Sequence, residues 1–344
     1  MDGDFNVVRW DGPEALLNQR VCKVTSSSSD LDGRFLYWWL QPHLERIHRR
    51  TPQTTVKHLS VGEFFRIPRP AFPVEEQRVF ASVLDAVDEA IAKTEAVIAK
   101  LRQVRAGLLH DLLTRGLDEN GHLRDPIAHP EQFKDSPLGR IPKAWKVTTL
   151  EELADVDRGK FAHRPRNEPR FYGGHHPFVQ TGDITAAKGE VLNDFTQTLN
   201  DDGAAISREF PTGTIAITIA ANIADTAILG RSMFLTDSVV GAVVRNPHCV
   251  RFVELGIRRA KDRLKAGAPQ TAQMNINLQD LRPLKISVPI EFEEQHQIGA
   301  IYDTHTLAIR KEEAILGKLE VVKSGLMTDL LTGRVRVPKG METP

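Results

Sequence analysis

The sequence predicts an α+β chain built as a two-fold internal repeat. Each copy is a mixed domain ending in a long helix, and the two helices pair as an antiparallel coiled coil. Three observations predict it. First, Glu75 to Thr114 aligns with Glu293 to Thr332 without a gap at a constant offset of 218, and nearly half of the 40 positions are identical. Second, both segments are helical by pattern: in the second, Ile298, Ile301, Tyr302, His305, Ile309, Ile315, Leu316, Leu319, Val322, Leu326 and Leu330 recur at steps of three and four. Third, the repetition continues upstream of both helices. A 40-residue helix is about 60 Å long, too long to be buried on all sides by a small domain. Two such stripes in one chain cover each other most economically side by side.

In chain order, Phe5, Val7, Val8 and Trp10 form an apolar, strand-like run, and Asp2 to Trp10 falls beside Ala220 to Ile228. Asn18 to Val24 sits where Asp237 to Val243 sits, and Arg34 to Thr54 lies over Arg251 to Thr271, both starting Arg-Phe and ending Pro-Gln-Thr. Each copy then passes through Leu59 or Ile276 and Phe64 or Leu281 to a short β-like run ending in proline, and so into its long helix. Arg115 to Pro142, rich in Gly, Pro, Asp and His, reads as a connector. Lys143 to Pro289 reads as one α+β domain. Within it Lys146 to Val156 is expected to give a strand and a short helix, Thr214 to Ala220 and Val239 to Val244 buried strands, and Arg251 to Lys265 a helix.

The copies are unequal. The second has an upstream block, about Ser136 to Thr218, with no counterpart in the first. Either the ancestral first copy lost its N-terminal part, or Met1 is an internal methionine.

Composition bounds the function classes. The 45 basic residues balance the 45 acidic ones, so any nucleic-acid contact must come from a local patch. Cys22 and Cys249 are too few for a disulfide framework or a cysteine zinc site, which favours a reducing cytoplasm. The opening residues lack the pattern of a signal peptide, and the longest apolar stretch, Gly213 to Leu229, is too short and polar to span a membrane.

The motifs that bracket the long helices carry a resemblance. The openings are Pro70-Ala71-Phe72-Pro73-Val74-Glu75-Glu76-Gln77 and Pro289-Ile290-Glu291-Phe292-Glu293-Glu294-Gln295, and the endings are Asp111-Leu112-Leu113-Thr114-Arg115-Gly116 and Asp329-Leu330-Leu331-Thr332-Gly333. With Leu17 to Cys22, and with Ser136 to Pro142 followed by Trp145, they resemble the specificity subunit of type I restriction-modification systems over nearly the whole chain. The resemblance implies a subunit without catalytic chemistry and without a cofactor or metal of its own. Its two target-recognition domains would each read half of a bipartite double-stranded DNA target. The helix pair would set the spacing and dock modification (methyltransferase) subunits, two of them, with restriction (ATP-dependent endonuclease and translocase) subunits completing the complex. The expected division is residues 1–70, the C-terminal part of a truncated first recognition domain; 71–115, the first long helix; 116–142, the connector; 143–290, the complete second recognition domain; 291–333, the second long helix; and 334–344, a tail.

The chain lacks the Asn/Asp-Pro-Pro-aromatic run of amino-methyl transfer, the G-x-G-x-x-G loop and the phosphate loop, in keeping with chemistry carried by partners. In the second domain the expected DNA-contacting residues are Arg158, Lys160, His163, Arg164, Arg166 and Arg170, which flank Phe161, Phe171 and Tyr172, with Gln180, Thr181 and Asn222 as base-edge readers. The bland alternative is a solvated basic loop. His175-His176 is expected to be a loop pair and not a metal site, because neighbours on a strand point apart and no carboxylate or cysteine cluster completes a ligand set. A second basic cluster, Arg258, Arg259, Lys261, Arg263 and Lys265, is left open between a subunit surface and a DNA surface. Two other functions compete: a coiled-coil scaffold that binds no DNA, and an inactive remnant of a specificity subunit.

Overall fold

The computed structural model describes residues 5–52, 59–220, 222–267 and 275–336. Two compact units result, Met1–Arg102 with Ala308–Pro344, and Gln103–Leu307, and both long helices contribute to each of them.

In the first unit, α1 (Gly33–Arg50) begins where the Asp32 side chain accepts the Phe35 N–H at 3.0 Å, the N-cap that satisfies a donor the helix itself leaves unpaired. A short α2 (Val61–Phe65) precedes the first long helix, α3 (Val74–Thr114). Phe35 and Trp38 of α1, Phe80, Ala81 and Leu84 of α3, and Leu330 and Leu331 of the second long helix form the core. Asp85 accepts the Trp38 indole N–H at 2.8 Å and pairs with Arg34 at 2.6 Å. Burial alone would raise this carboxyl, but those bonds and the Arg34 and Arg9 charges hold it below the usual aspartate range. The long helices run antiparallel here, since Asp88 meets Lys323 while Arg102 meets Glu313 at 2.5 Å.

The strand expected at Phe5 to Trp10 does not form: the run is irregular, with Val8 78 % and Trp10 67 % exposed. The β-like run after α2 is likewise not a strand. The physical reason is the same for both. A strand needs an edge to pair with, and the second-copy equivalents pair with strands drawn from the block that the first copy lacks. No strand occurs among the described residues of this unit.

The second unit contains β1 (Phe133–Lys134), β2 (Ile141–Pro142), β3 (Trp145–Thr149), α4 (Leu150–Leu153), β4 (Ala154–Arg158), β5 (Tyr172–Val179), α5 (Thr181–Ala187), β6 (Val191–Leu192) and β7 (Gln197–Leu199). It continues with α6 (Asp201–Ala205), β8 (Glu209–Phe210), β9 (Ile215–Thr218), β10 (Thr226–Leu229), β11 (Met233–Leu235), β12 (Val239–Val244), α7 (Val250–Arg259), α8 (Lys261–Gly267), α9 (Leu278–Leu281), β13 (Lys285–Pro289) and the start of α10 (Phe292–Leu331). A five-stranded sheet in the order β4-β12-β9-β10-β6 lies with a four-stranded sheet in the order β7-β5-β11-β8. Along β9, Ile215 and Ile217 join the core that includes Trp145, Phe252 and Tyr302, while Ala216 joins Phe210, Leu229 and Leu235 on the other face. Successive side chains point to opposite faces, so covering both faces turns β9 into the unbroken apolar run seen in the sequence.

The strand and short helix expected over Lys146 to Val156 form as β3 and α4, the additional strand β4 follows them, and β12 matches Val239 to Val244. The helix expected over Arg251 to Lys265 breaks at Ala260, whose N–H is shared by the Gly256 and Ile257 carbonyls, tightening the turn between α7 and α8. The connector is ordered: Leu117 and Ile141 are buried in the same core as Trp145. Gln53, Thr54 and the second Pro-Gln-Thr, 269–271, lie outside the described residues, as do residues 2–4 and 337–344. Among the described residues no helix is long and apolar enough to cross a membrane.

Candidate nucleic-acid interface

The repeated Glu-Glu-Gln opening has a structural explanation that pattern alone did not supply. Gln77, 1 % exposed, donates to the Phe72 carbonyl at 2.8 Å and accepts the N–H of Asp32, the residue capping α1, at 3.0 Å. Gln295, fully buried, donates to the Pro289 carbonyl at 3.1 Å and accepts the N–H of Cys249, the residue capping α7, at 3.2 Å. In each copy one amide therefore clamps the start of the long helix to the start of the shorter helix before it. The preceding glutamates also match in role. Glu76 is held by Arg336 at 2.6 Å; Glu294 is held by Arg124 at 2.7 Å and accepts the Trp145 indole N–H at 2.9 Å.

The second unit carries a loop-rich wall formed by the end of β4, residues 159–171, β5 and the start of α5. Gly159 permits this packing, because a Cβ there would lie 2.2 Å from the Thr236 carbonyl oxygen and 2.5 Å from that of Leu235. Two carboxylates organise the cations. Asp237 receives Arg164 at 2.5 Å and Arg166 at 2.6 Å on one oxygen, and its backbone carbonyl accepts the Arg158 side chain. Glu168 binds Arg170 at 2.6 Å and contacts His163. Arg170 also lies over the Phe171 ring, 4.6 Å from its centre. Lys160 is exposed, its backbone N–H bonded to Leu235. Three arginines thus pair with two carboxylates, and their side chains are about half-exposed or more while already fixed in direction.

A cleft of about 400 Å³ opens beside this wall. Phe161, Tyr172 and Phe178 line it with Arg166, Gln180, Thr181, Gln197 and Asp237. The Tyr172 hydroxyl donates to the Arg166 carbonyl, and burial pushes its pKa above the usual tyrosine value. Gln180 precedes α5, where its backbone N–H is taken by Asp183 at 2.8 Å, and its side-chain amide donates to Gln197 at 2.9 Å. Each of these amides has hydrogen-bonding capacity beyond that one bond. Asn222 stands apart from the cleft, in the turn between β9 and β10, where it donates to Thr185 at 3.2 Å. The structure thus gathers Arg166, Gln180 and Thr181 at one cleft, ties Arg158 and Arg164 to it through Asp237, groups His163 and Arg170 about Glu168, leaves Lys160 exposed, and places Asn222 in the β9–β10 turn against Thr185. Gln197 was not expected from sequence; a lone glutamine in a polar stretch carries no local signal.

Most of the second basic cluster is engaged by partners within the fold. Arg258 bonds Glu254 at 2.7 Å and Tyr302 at 2.5 Å, and the neighbouring Glu254 carboxylate keeps its pKa raised against the opposing effect of burial. Arg259 donates to the Leu113 carbonyl near the end of α3, and burial lowers its pKa. Lys261 pairs with Asp225, and Arg263 donates to the Lys285 carbonyl at 2.9 Å. These groups hold α7 and α8 in place.

The expectation for His175-His176 needs correction in its geometry. The rings lie 4.1 Å apart and Asp201 faces both, because the register of β5 against β7 shifts between Tyr172 and His176.

A family model described as the type I restriction modification DNA specificity domain matches residues 2–103 and 142–321. The type I restriction enzyme EcoBI specificity subunit of Escherichia coli is 33 % identical over 162 residues, which is 46 % of this chain and 34 % of that protein. The MjaVIII specificity subunit of Methanocaldococcus jannaschii is 25 % identical over 354 residues, covering 95 % of this chain and 78 % of that one. The chain thus spans about a third of the first relative's length and over three quarters of the second's. The crystal structure of a type I restriction-modification S subunit from M. genitalium superimposes with a TM-score of 0.54 at 20 % identity, over 88 % of this chain and 73 % of that one, which shows a shared fold.

Proposed function

Since the chain belongs to the type I restriction-modification DNA specificity family, we propose that it is the sequence-reading, non-catalytic subunit of such a complex. In this role it engages double-stranded DNA, docks modification subunits and through them joins restriction subunits, in the cytoplasm. The observation that carries this reading is the wall of the second unit. Arg166 lines a cleft that also holds three aromatic rings and the paired amides of Gln180 and Gln197, Arg164 and Arg158 are held beside it on Asp237, and Lys160 and Arg170 lie on the same wall. Cations fixed in direction bind phosphates at a smaller ordering cost, and amides discriminate base edges. The two long helices, antiparallel within each unit, are the elements suited to set a spacing between DNA halves, and residues 143–290 are the reading domain. We read residues 1–70 as the corresponding, shorter part of the other reader.

The test is co-expression with a modification subunit, followed by purification and footprinting at several salt concentrations. Co-purification together with a protected site whose affinity falls steeply with salt supports the proposal. A chain that leaves the modification subunit in the flow-through contradicts it.

A further inference from the structure

We infer that His175, His176 and Asp201 form a binding site for a divalent transition-metal ion of the zinc class, in the second unit beside the cleft. One side chain from each residue offers a ligand atom, and these atoms all lie within 4.8 Å of one another. Asp201 Oδ1 is 2.9 Å from His176 Nε2 and 4.0 Å from His175 Nε2. A tetrahedral ion with nitrogen and oxygen ligands at about 2.0–2.1 Å separates its ligand atoms by about 3.4 Å. Drawing these three groups onto one ion therefore takes movements of a few tenths of an ångström to about one ångström. His175 and Asp201 are free to make them, their side chains being 79 % and 86 % exposed.

The backbone explains why adjacent histidines converge. In a regular strand their rings would project to opposite faces. Here Gly173 takes φ +82, a left-handed conformation open to glycine, and the register shifts so that both Tyr172 and His176 pair with Leu199. Leu199 is followed by Asn200, whose side chain accepts the Gly203 N–H at 3.0 Å and fixes the first turn of α6. That turn presents Asp201 to the two rings. His176 is the anchored member, its ring packing edge-on against Phe234 at 5.5 Å, and Phe234 belongs to the aromatic core that backs the cleft. A hydrogen bond between His176 and Asp201 would require none of the convergence shown by His175. Imidazole nitrogens with one carboxylate make a borderline-soft set that suits zinc, cobalt or nickel and leaves open positions for water. Magnesium, which demands oxygen ligands, is excluded by the same set.

The ion would tie β5 to α6. The test uses the full-length protein without a histidine tag, titrated with Co²⁺ and then Zn²⁺ against a chromophoric chelator, in parallel with His175→Gln/His176→Gln and with Asp201→Asn. The expected result is one equivalent bound by the parent chain, at least tenfold weaker binding by the double variant, and an intermediate loss for Asp201→Asn. A second measurement is independent of any variant's folding: Zn²⁺ raises the melting temperature of the parent chain and Mg²⁺ does not. Equal Zn²⁺ affinity in the parent and double variant, or a melting temperature indifferent to Zn²⁺, overturns the inference.

Discussion

Gln77 and Gln295 show at the residue scale what the Glu-Gln motif is for. Each is buried and bonded at both ends of its amide, so removing one strands a carbonyl and a helix-capping N–H at once. Gln295→Ala is expected to cost about 1–3 kcal/mol, read as a lower urea midpoint with unchanged slope; an unchanged midpoint would show that the clamp is dispensable. Asp85 supplies a pH dependence. Its carboxyl is held low in the fold, so its contribution is fully present above the ordinary aspartate value near 3.8 and is lost as pH falls through its lower folded value. Asp85→Asn should therefore flatten the acid limb of a stability curve while costing stability at neutral pH. On the basic wall proposed to contact DNA, replacing Arg164 and Arg166 by alanine should reduce the slope of log K against log salt by about 1–2, as one or two phosphate contacts disappear. These side chains were legible in sequence as a basic, aromatic-flanked run. Their tethering to Asp237, dozens of residues away in the chain, was not, because a pairing set by tertiary approach leaves no local pattern.

At the scale of elements, the long helices were the most legible part, since a stripe at steps of three and four over 40 residues has few other physical solutions. Their expected partnership agrees with Asp88 meeting Lys323 and Arg102 meeting Glu313. Short strands fared unevenly for a reason that the repeat itself exposes. The apolar run Phe5 to Trp10 looks like a strand, yet strand formation depends on an adjoining edge, and its unit offers none among the described residues. The histidine pair misled in the opposite direction, because a register shift beside Gly173 cannot be read from strand alternation. If the helices set a spacing, inserting one heptad into each, at facing positions, preserves the seam and adds about 10 Å. The gap between the two halves of the recognised sequence should then grow by about three base pairs. A gap that stays fixed while the complex still assembles would remove the ruler from the account.

For the whole molecule, the proposed DNA binding is compatible with balanced charge because it draws on cations gathered on one wall, while Arg258, Arg259 and Lys261 are held by partners within the fold. Composition alone could not separate these two uses of arginine, since burial and pairing are properties of the fold. The proposed role is that this chain chooses where a methylating complex acts. The most direct test is methylation mapping of genomic DNA from cells carrying the modification subunit, with and without this gene. The account predicts a methylated bipartite motif with a fixed gap that appears only when the chain is present. An identical methylation pattern in both cells, with the chain expressed and bound to the modification subunit, would contradict it.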